Sequence, residues 1–231
     1  YGRVDVRAKL PSELGTWPAI WMLGKNISEA GAFFEEEFGT TPWPATGEID
    51  IMEQFGRNST EKTEVHGTTH TPAGFGGGAN GGKTTLATST TDFHIYSIIW
   101  DEEEIQFLVD DVEYYTYNPV TIYGTRNTAN WPFDKPQFLI LNIAMGGVLG
   151  GDVPGDFVDA TMEIDYVRVF QNYDEDTSDN LSVPLVAAPS PLKDAGDVIS
   201  VFSDSYSNIS DVSFDNSERT AYSDLIEIEN N

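Results

Sequence analysis

The stretch YGRVDVRAKL, residues 1–10, has the strict two-residue alternation that is typical of a half-buried β-strand. Its valines, alanine and leucine fall on one face, and the charged residues between them fall on the other. Similar short runs follow, rich in Val, Ile and aromatic residues and separated by clusters of Gly, Pro, Asn and Asp. One of them, VDDVEYY at residues 109–115, predicts a hairpin. Because no amphipathic pattern exceeds two helical turns, the sequence predicts an all-β protein, a two-sheet antiparallel β-sandwich.

Composition narrows the range of partners. The chain has 231 residues and a formal net charge of -26 at pH 7. Nucleic acids and anionic membranes are themselves negatively charged, so repulsion argues against both, and a neutral ligand fits better. There is no cysteine, and therefore no disulfide framework and no thiolate metal site. No apolar run is long enough to span a bilayer, and no signal peptide is recognisable.

Residues 1–172 and 173–231 differ in composition. All five tryptophans lie in the first region, whereas the second carries 13 acidic and 2 basic residues. The second region also contains VPLVAAPSPLKDAG, a Pro/Ala-rich stretch that is typical of a linker. We therefore predict one β domain over residues 1–172, followed by an acidic region. This region is either a disordered tail or the first strands of a second module.

The stretch GEIDIMEQ, residues 47–54, raises a problem of parity. On an extended strand Glu48 and Asp50 point to one face, and the two isoleucines point to the other. Glu53 breaks this pattern, since a regular strand would bury it among the isoleucines, where an unpaired carboxylate is costly. Either Glu53 begins a loop, or the strand contains one extra residue that turns Glu53 back to the face of the other two carboxylates.

Three functions can be weighed for this acidic cluster. The first is structural, since each carboxylate taken singly fits a solvated sheet face. The second is metal binding, which would need further ligands that the spacing does not indicate. Retaining glycoside hydrolysis needs two carboxyl groups about 5–5.5 Å apart, one as the nucleophile and one as the acid. A β-bulge at Ile51 or Met52 would bring Glu53 onto the face of Glu48, and bulges are frequent beside active sites.

At these residues the chain resembles glycoside hydrolase family 16, and in particular the bacterial laminarinase-like endo-β-1,3-glucanases. The likeness extends over about residues 1–172, and several motifs occur in that family's order: YGRVDVRAKLP, GTWPAIWMLG, TTPWPATGEIDIME, VHGTTH, DFHIYSIIW, WPFDKPQFLILNIAMGGVLGG and MEIDYVRVFQ. The resemblance implies a jelly-roll sandwich with a concave substrate cleft. Similar enzymes have further strands before the first of these motifs, so we expect this chain to be N-terminally truncated, with exposed strand edges.

Carried over position by position, the resemblance implies that Glu48 is the nucleophile, Glu53 the acid/base and Asp50 the assisting carboxylate. Glu53 has to hold a proton to act as an acid near neutral pH, and the negative charges of the other two would raise its pKa. Once Glu48 is consumed in a glycosyl ester, part of this repulsion disappears, so Glu53 can act as a base toward water. No cofactor is expected for the catalysis itself.

Aromatic and polar residues suggest the substrate contacts. Core filling is the ordinary role of a tryptophan, but the resemblance implies that Trp17, Trp21 and Trp43 line a glucan cleft. Trp131 is a further substrate-binding candidate because it lies in a proline-flanked segment, whereas Trp100 is predicted to belong to the core.

The polar candidates are a histidine, an asparagine and a calcium pair. His66 resembles the family's histidine near the acid/base, or is a hydrogen-bonded structural residue, and Asn142 could donate to a sugar hydroxyl. His66 and His70 have a zinc-like spacing, but the flanking residues are strand-like and no third ligand is apparent, so we reject a zinc site. The resemblance also implies a structural calcium ion bound by Gly2 and Asp165.

The sequence thus predicts retaining endo-hydrolysis of β-1,3-glucan or mixed-linkage β-1,3-1,4-glucan by a monomer. Alternatives are a family 16-type enzyme acting on agarose or carrageenan, a transglycosylase, and a non-catalytic carbohydrate-binding protein, which would have no chemical reason to keep three carboxylates. A secreted or cell-surface location is expected, because the substrate is a large extracellular polymer. If residues 173–231 are the start of a second module, we expect that module to bind carbohydrate.

Overall fold

The computed structural model of the protein describes residues 1–28 and 35–171, so the predicted linker and acidic tail lie outside the described residues. Ten β-strands, β1 to β10 in chain order, form the framework of this part: Gly2–Lys9, Thr16–Gly24, Glu48–Glu53, Glu64–His70, Asn80–Thr85, His94–Trp100, Ile105–Val109, Val112–Tyr117, Gln137–Met145 and Glu163–Phe170. Three short helices, α1 to α3, lie between them: Glu35–Phe38, Pro119–Tyr123 and Gly147–Gly150. In the described part of the chain, no helix is long and apolar enough to cross a membrane.

The strands form two five-stranded antiparallel sheets, as predicted. The first sheet has the order β10-β1-β6-β7-β8, and the second, which we call the carboxylate sheet, has the order β5-β4-β3-β2-β9. Sequence neighbours β6, β7 and β8 form a meander, whereas β1 pairs with β6 and β10 through long connections. This is a β-sandwich of the jelly-roll kind.

The alternation along each strand decides which side chains enter the core. In β1 the residues Val4, Val6 and Ala8 are buried against the carboxylate sheet, and the charged residues between them face outward. In β3 the inward-facing positions are apolar and almost completely buried. The buried apolar residues of both sheets form one continuous cluster. Burial of each such side chain contributes about 1.5–3 kcal/mol, so this cluster holds the two sheets together.

The predicted hairpin is confirmed between β7 and β8. Its two-residue loop consists of Asp110 and Asp111, whose φ angles are +50° and +64°. Two consecutive positive φ angles are typical of a type I′ turn, whose twist matches that of the flanking strands, and Asp tolerates this conformation better than most residues.

The glycine-rich segment at residues 74–82 is partly a strand. Its last three residues belong to β5, which begins at Asn80 and pairs with β4. Glycine is needed here because the opposite sheet packs closely: a Cβ on Gly82 would lie 2.5 Å from the Cβ of Tyr115, and one on Gly67 would lie 2.4 Å from Cδ1 of Phe107. The glycines of these strands therefore reflect close packing of two layers as well as loop freedom.

Candidate active site

The strand β3 contains the extra residue that the parity of GEIDIMEQ requires. Against β2, Asp50 pairs with Trp21 and Glu53 pairs with Ala19, so three steps along β3 match two steps along its neighbour. Against β4, Asp50 pairs with Thr68 and Glu53 with His66, which shows the same shift. The predicted bulge between Asp50 and Glu53 is confirmed on both sides of the strand.

The bulge assigns the side chains to opposite faces. Ile49, Ile51 and Met52 are at most 1% exposed and belong to the core. The carboxylates of Glu48, Asp50 and Glu53 are left on the other face of the carboxylate sheet, where β2 and β4 supply their neighbours. A single added residue thus places three acidic groups on one surface without disturbing the apolar layer beneath.

Glu48 lies at the more open end of the strand. The indole Nε1 of Trp43 donates a 2.9 Å hydrogen bond to its Oε2. Trp43 is 43% exposed, and its ring contacts the rings of His70 and Phe75 at centroid distances of 5.7 and 5.5 Å. Burial raises the pKa of Glu48, whereas His70 and the Trp43 hydrogen bond act in the opposite direction.

His70 is a site residue that the sequence analysis considered only as a zinc ligand. Its Nε2 lies 3.1 Å from Oδ2 of Asp50 and 3.6 Å from Oε1 of Glu48. The backbone N–H of Gly76 donates to Nδ1, so the hydrogen of the neutral ring is on Nε2 and faces the two carboxylates. The signal that could have identified it is the register, since Glu48 pairs with His70 across the two strands.

A cation site is a second interpretation of Glu48, Asp50 and His70. Ligand atoms of Glu48, Asp50 and His70 lie within 4.8 Å of one another. However, a neutral His70 with its hydrogen on Nε2 has no lone pair to offer there, because Nδ1 already accepts from the backbone of Gly76. The arrangement therefore suits a hydrogen-bonding histidine better than a metal ligand.

Glu53 lies at the buried end of the strand and is 8% exposed. The indole Nε1 of Trp17 donates a 2.9 Å hydrogen bond to its Oε1. Burial, followed by the charge of Asp50, raises the pKa of Glu53 to about 8, and the Trp17 hydrogen bond partly opposes this. A carboxyl group with this pKa holds its proton at neutral pH, as a general acid must.

Asp50 lies between these two groups and is 4% exposed. Burial, with the nearby charge of Glu48 as the second cause, raises its pKa well above the usual range. Among the described residues its Oδ2 has no hydrogen-bond donor of good geometry, although the ring of His70 is close. Burial and the charge of Glu48 therefore both favour the protonated form of Asp50.

His66 pairs with Glu53 across β3 and β4, on the face that the register assigns to the carboxylates. Its ring contacts that of Phe55 at a centroid distance of 4.3 Å, tilted by 32°, and its Nε2 lies 3.7 Å from Oε2 of Glu64. Burial lowers the pKa of His66, which favours the neutral ring at neutral pH. The structure thus places His66 beside the acid/base candidate, and its substrate contact stays a prediction.

The tryptophans divide into two groups. Trp17 and Trp21 are partly exposed on β2, and Nε1 of Trp21 donates a 2.8 Å hydrogen bond to Oδ1 of Asn142. Trp17, Trp21 and Asn142 therefore lie on the carboxylate face, as the substrate prediction requires. Trp100 is 8% exposed and belongs to the core, as expected.

Trp131 was predicted to bind substrate, and the structure corrects this prediction. It is 3% exposed, its ring is parallel to that of Tyr117 at a centroid distance of 6.1 Å, and Phe133 meets it edge-on. The guanidinium of Arg126 covers it at 4.6 Å from the ring centroid. A ring that is enclosed in this way offers no face to a sugar, so Trp131 is a packing residue.

The proposed calcium pair is not brought together either. Gly2 lies one residue before the pair Arg3–Phe170, whereas Asp165 lies opposite β1 near Arg7, with which it forms an ion pair. Five strand residues separate the two positions, roughly 17 Å at about 3.3 Å per residue. Two oxygens of one calcium ion are at most about 5 Å apart, so these residues do not fit a shared calcium site.

The fold and the site define a class of protein. A β-sandwich with a bulged strand that presents two carboxyl groups of unequal burial, flanked by tryptophans, has the features that glycosidases use. The family described as "Glycosyl hydrolases family 16" matches residues 1–168, and the chain belongs to this family.

Individual relatives agree with this membership. The chain is 44% identical over 176 residues to the "Beta-glucanase" of Rhodothermus marinus, covering 74% of this chain and 57% of that protein. It is 41% identical over 183 residues to "Glucan endo-1,3-beta-glucosidase A1" of Niallia circulans, covering 74% of this chain and 24% of that protein. It thus spans less than two thirds of either relative.

A solved structure gives the same result for the fold. The crystal structure of a LamA variant from Z. galactanivorans, in complex with laminaritriose and laminaritetraose, matches with a TM-score of 0.63 and 42% identity. The match covers 74% of this chain and 65% of that one. At this level of identity, the shared sandwich and the shared sequence motifs support each other.

Proposed function

We propose that this chain catalyses endo-hydrolysis of a β-1,3-glucan or a mixed-linkage β-1,3-1,4-glucan with retention of configuration. The observation that carries the proposal is the bulge in β3, which returns Glu53 to the face of Glu48. Without it, the acid/base candidate would lie in the core among Ile49 and Ile51.

In the first step, a carboxylate oxygen of Glu48 attacks the anomeric carbon and the bond from that carbon to the glycosidic oxygen breaks. Glu53 transfers its proton to the departing oxygen, so the leaving sugar departs as a neutral alcohol. The pKa of about 8 at Glu53 keeps this proton available at neutral pH. The product is a glycosyl ester on Glu48 and a deprotonated Glu53.

In the second step, Glu53 takes a proton from water, and the water oxygen attacks the anomeric carbon of the ester. The bond to Glu48 breaks, the carboxylate is restored and Glu53 is protonated again. Ester formation removes the charge of Glu48, which is one of the causes that raise the pKa of Glu53. The change in charge therefore moves Glu53 toward the form that acts as a base.

Asp50 and His70 adjust the nucleophile in this mechanism. A proton on Asp50 lies next to Glu48 and reduces the repulsion between the two carboxyl groups, which burial would otherwise strengthen. His70 holds its Nε2 hydrogen toward both, fixed by the Gly76 amide on the other side of the ring. Both residues therefore favour the ionised form of Glu48 that attacks the sugar.

The substrate assignment rests on the tryptophans and on the relatives. Partly exposed indole rings on the carboxylate face suit the apolar faces of sugar rings, and a neutral glucan is not repelled by a chain of net charge -26. The names of the two curated relatives specify β-glucan or β-1,3-glucan as substrate. Since such polymers are extracellular, we infer that the protein acts outside the cell.

A substrate panel tests this proposal. Release of reducing sugar is measured with laminarin, lichenan, agarose and carrageenan, and the products are sized to distinguish internal cleavage from removal of end units. We expect activity on laminarin, lichenan or both, with oligosaccharides of several lengths appearing first. Activity confined to agarose or carrageenan, or binding of laminarin without any release of sugar, would contradict the proposal.

A further inference from the structure

A lysine is buried behind the Glu53 end of the site. Lys62 is 6% exposed, although lysine is seldom enclosed in proteins. Its Nζ lies 3.1 Å from the carbonyl oxygen of Pro11, 2.6 Å from Oγ1 of Thr16 and 3.3 Å from Oε1 of Gln54. The Nζ also lies 3.5 Å from the carbonyl oxygen of Thr16, so the three hydrogens of the ammonium group face four uncharged acceptors.

No carboxylate is paired with this lysine in residues 1–28 and 35–171. Its hydrogen-bond acceptors are all uncharged, and the charged group that acts on it is Glu13, through space. Burial lowers the pKa of Lys62 to about 8. An amine in this position is less favourable for stability than an apolar side chain of the same size, which calls for another explanation of its presence.

The acceptors of Lys62 connect it to the active site. Thr16 directly precedes Trp17, and Gln54 directly follows Glu53, so one ammonium group contacts both neighbours of the Trp17–Glu53 hydrogen bond. Gln54 is completely buried, and its Nε2 donates 2.8 Å hydrogen bonds to the carbonyl oxygen of Lys62 and to Oγ of Ser89. The backbone on both sides of that bond is therefore held from beneath by a single polar cluster.

We propose that Lys62 is a positioning residue for the acid/base carboxyl group: by binding Thr16 and Gln54 together, it fixes the distance between the indole of Trp17 and the carboxyl of Glu53. The expected loss of kcat rests on the proposed function, whereas the rest of this inference does not. The geometric part concerns one hydrogen bond and can be measured in the absence of substrate.

The position matters because Glu53 is the last residue of β3, directly after the bulge. The backbone N–H of Gln54 donates to the carbonyl oxygen of Pro18 at 3.2 Å, which joins the end of β3 to β2 just beyond Glu53. Lys62 adds a side-chain link between the same two strands. Since misplacement of a reacting group by about 1 Å costs about 100-fold in rate, a second link at this point has a functional effect.

The test compares Lys62→Met with Lys9→Met. Lys9 pairs with Glu163 on the first sheet, away from the carboxylate face, so its replacement controls for the loss of one lysine. For Lys62→Met we expect kcat on laminarin to fall about 10- to 100-fold with little change in KM. The pKa of Glu53, followed by carbon-13 NMR of its carboxyl group, rises because the Trp17 hydrogen bond that lowers it is weakened.

Two further variants separate positioning from charge and from simple destabilisation. Thr16→Val removes the 2.6 Å acceptor and leaves the lysine charge in place, whereas Thr16→Ser keeps the hydroxyl. We expect Thr16→Val to raise the pKa of Glu53 as Lys62→Met does, and Thr16→Ser to stay within about twofold of the unmodified protein in kcat. If Lys62→Met does not fold, the two Thr16 variants provide the test on their own.

The inference is overturned if folded Lys62→Met or Thr16→Val melts at a lower temperature but keeps the kcat and the Glu53 pKa of the unmodified protein. That result would make Lys62 a residue of stability alone. Failure of the proposed function is a different outcome: the unmodified protein would release no sugar from any glucan, while the NMR titrations would still decide whether Lys62 positions Glu53.

Discussion

The two ends of β3 carry the same chemical group in different surroundings. Glu48 is partly exposed and has two groups that favour its charged form, the indole of Trp43 and the ring of His70. Glu53 is buried, and the hydrogen bond from Trp17 is outweighed by burial and by the charge of Asp50. The difference teaches that burial, rather than the number of nearby carboxylates, separates the proposed nucleophile from the proposed acid.

The largest expected effect comes from removing each carboxyl group in turn. Glu48→Ser should lower kcat on laminarin by about 10⁴-fold or more, because no nucleophile remains to form the ester. Glu53→Gln should lower it by about 10³-fold, because the leaving oxygen is no longer protonated. On a dinitrophenyl β-glucoside oligomer, whose leaving group needs no proton, we expect Glu53→Gln to form the ester at nearly the unmodified rate and Glu48→Ser to remain inactive.

Rapid-quench measurement of dinitrophenol release, with Glu163→Gln on the opposite sheet as a control, distinguishes the two variants. Equal losses in Glu48→Ser and Glu53→Gln on both substrates would remove the difference in roles. If Glu48→Ser cleaved the dinitrophenyl substrate and Glu53→Gln did not, the two assignments would be reversed.

A smaller effect is expected when the hydrogen bond to the acid is removed. Trp17→Phe keeps an aromatic ring and loses the indole N–H that stabilises the ionised form of Glu53. The pKa of Glu53 therefore rises above about 8, and the alkaline limb of kcat/KM, where the acid loses its proton, moves about one pH unit higher. Trp21→Phe is the matched control, since its indole N–H donates to the side-chain amide of Asn142 instead of to a carboxylate.

The limb is measured from initial rates between pH 5 and pH 11, a range that extends about two units above the transition expected for the variant. An alkaline limb that stays in place, or that moves to lower pH, would show that Trp17 does not control the protonation of Glu53.

The smallest effect is expected at the open end of the strand. Trp43→Phe removes the hydrogen bond that lowers the pKa of Glu48, so this pKa rises. The nucleophile has to be ionised, so the acidic limb of kcat/KM moves to higher pH. The shift is about half a unit, because the exposed Trp43 contributes less than a buried hydrogen-bond donor. A shift of the alkaline limb instead, in the same pH series, would mean that Trp43 acts on Glu53.

The sequence predicted the part of the site that depends on strand parity. Glu53 stands three residues after Asp50, and an odd step can return a side chain to the same face only across an extra residue. The hydrophobic alternation also predicted the two sheets, the hairpin at Asp110 and Asp111 and the buried state of Trp100. These features are local, so the residues themselves carry the information.

Features that depend on distant neighbours were missed. Trp131 lies in a proline-flanked segment like a cleft tryptophan, but Tyr117 of β8 stacks on it and the nearby Phe133 meets it edge-on. Gly82 of β5 lies against Tyr115 of the opposite sheet, and His70 is significant only through its register with Glu48. From the sequence, charge was the cause expected to raise the pKa of Glu53, whereas burial, the larger cause, becomes visible only in three dimensions.

The anomeric form of the first product tests the central claim most directly. If Glu48 acts as the nucleophile and Glu53 as the acid/base at the same sugar, two displacements occur and the configuration is retained. Proton NMR of laminarin during the first minutes of hydrolysis should then show the β-anomer of the new reducing end, with the α-anomer growing later by mutarotation. Initial appearance of the α-anomer would mean a single displacement by water and would contradict the assignment of Glu48 as the nucleophile.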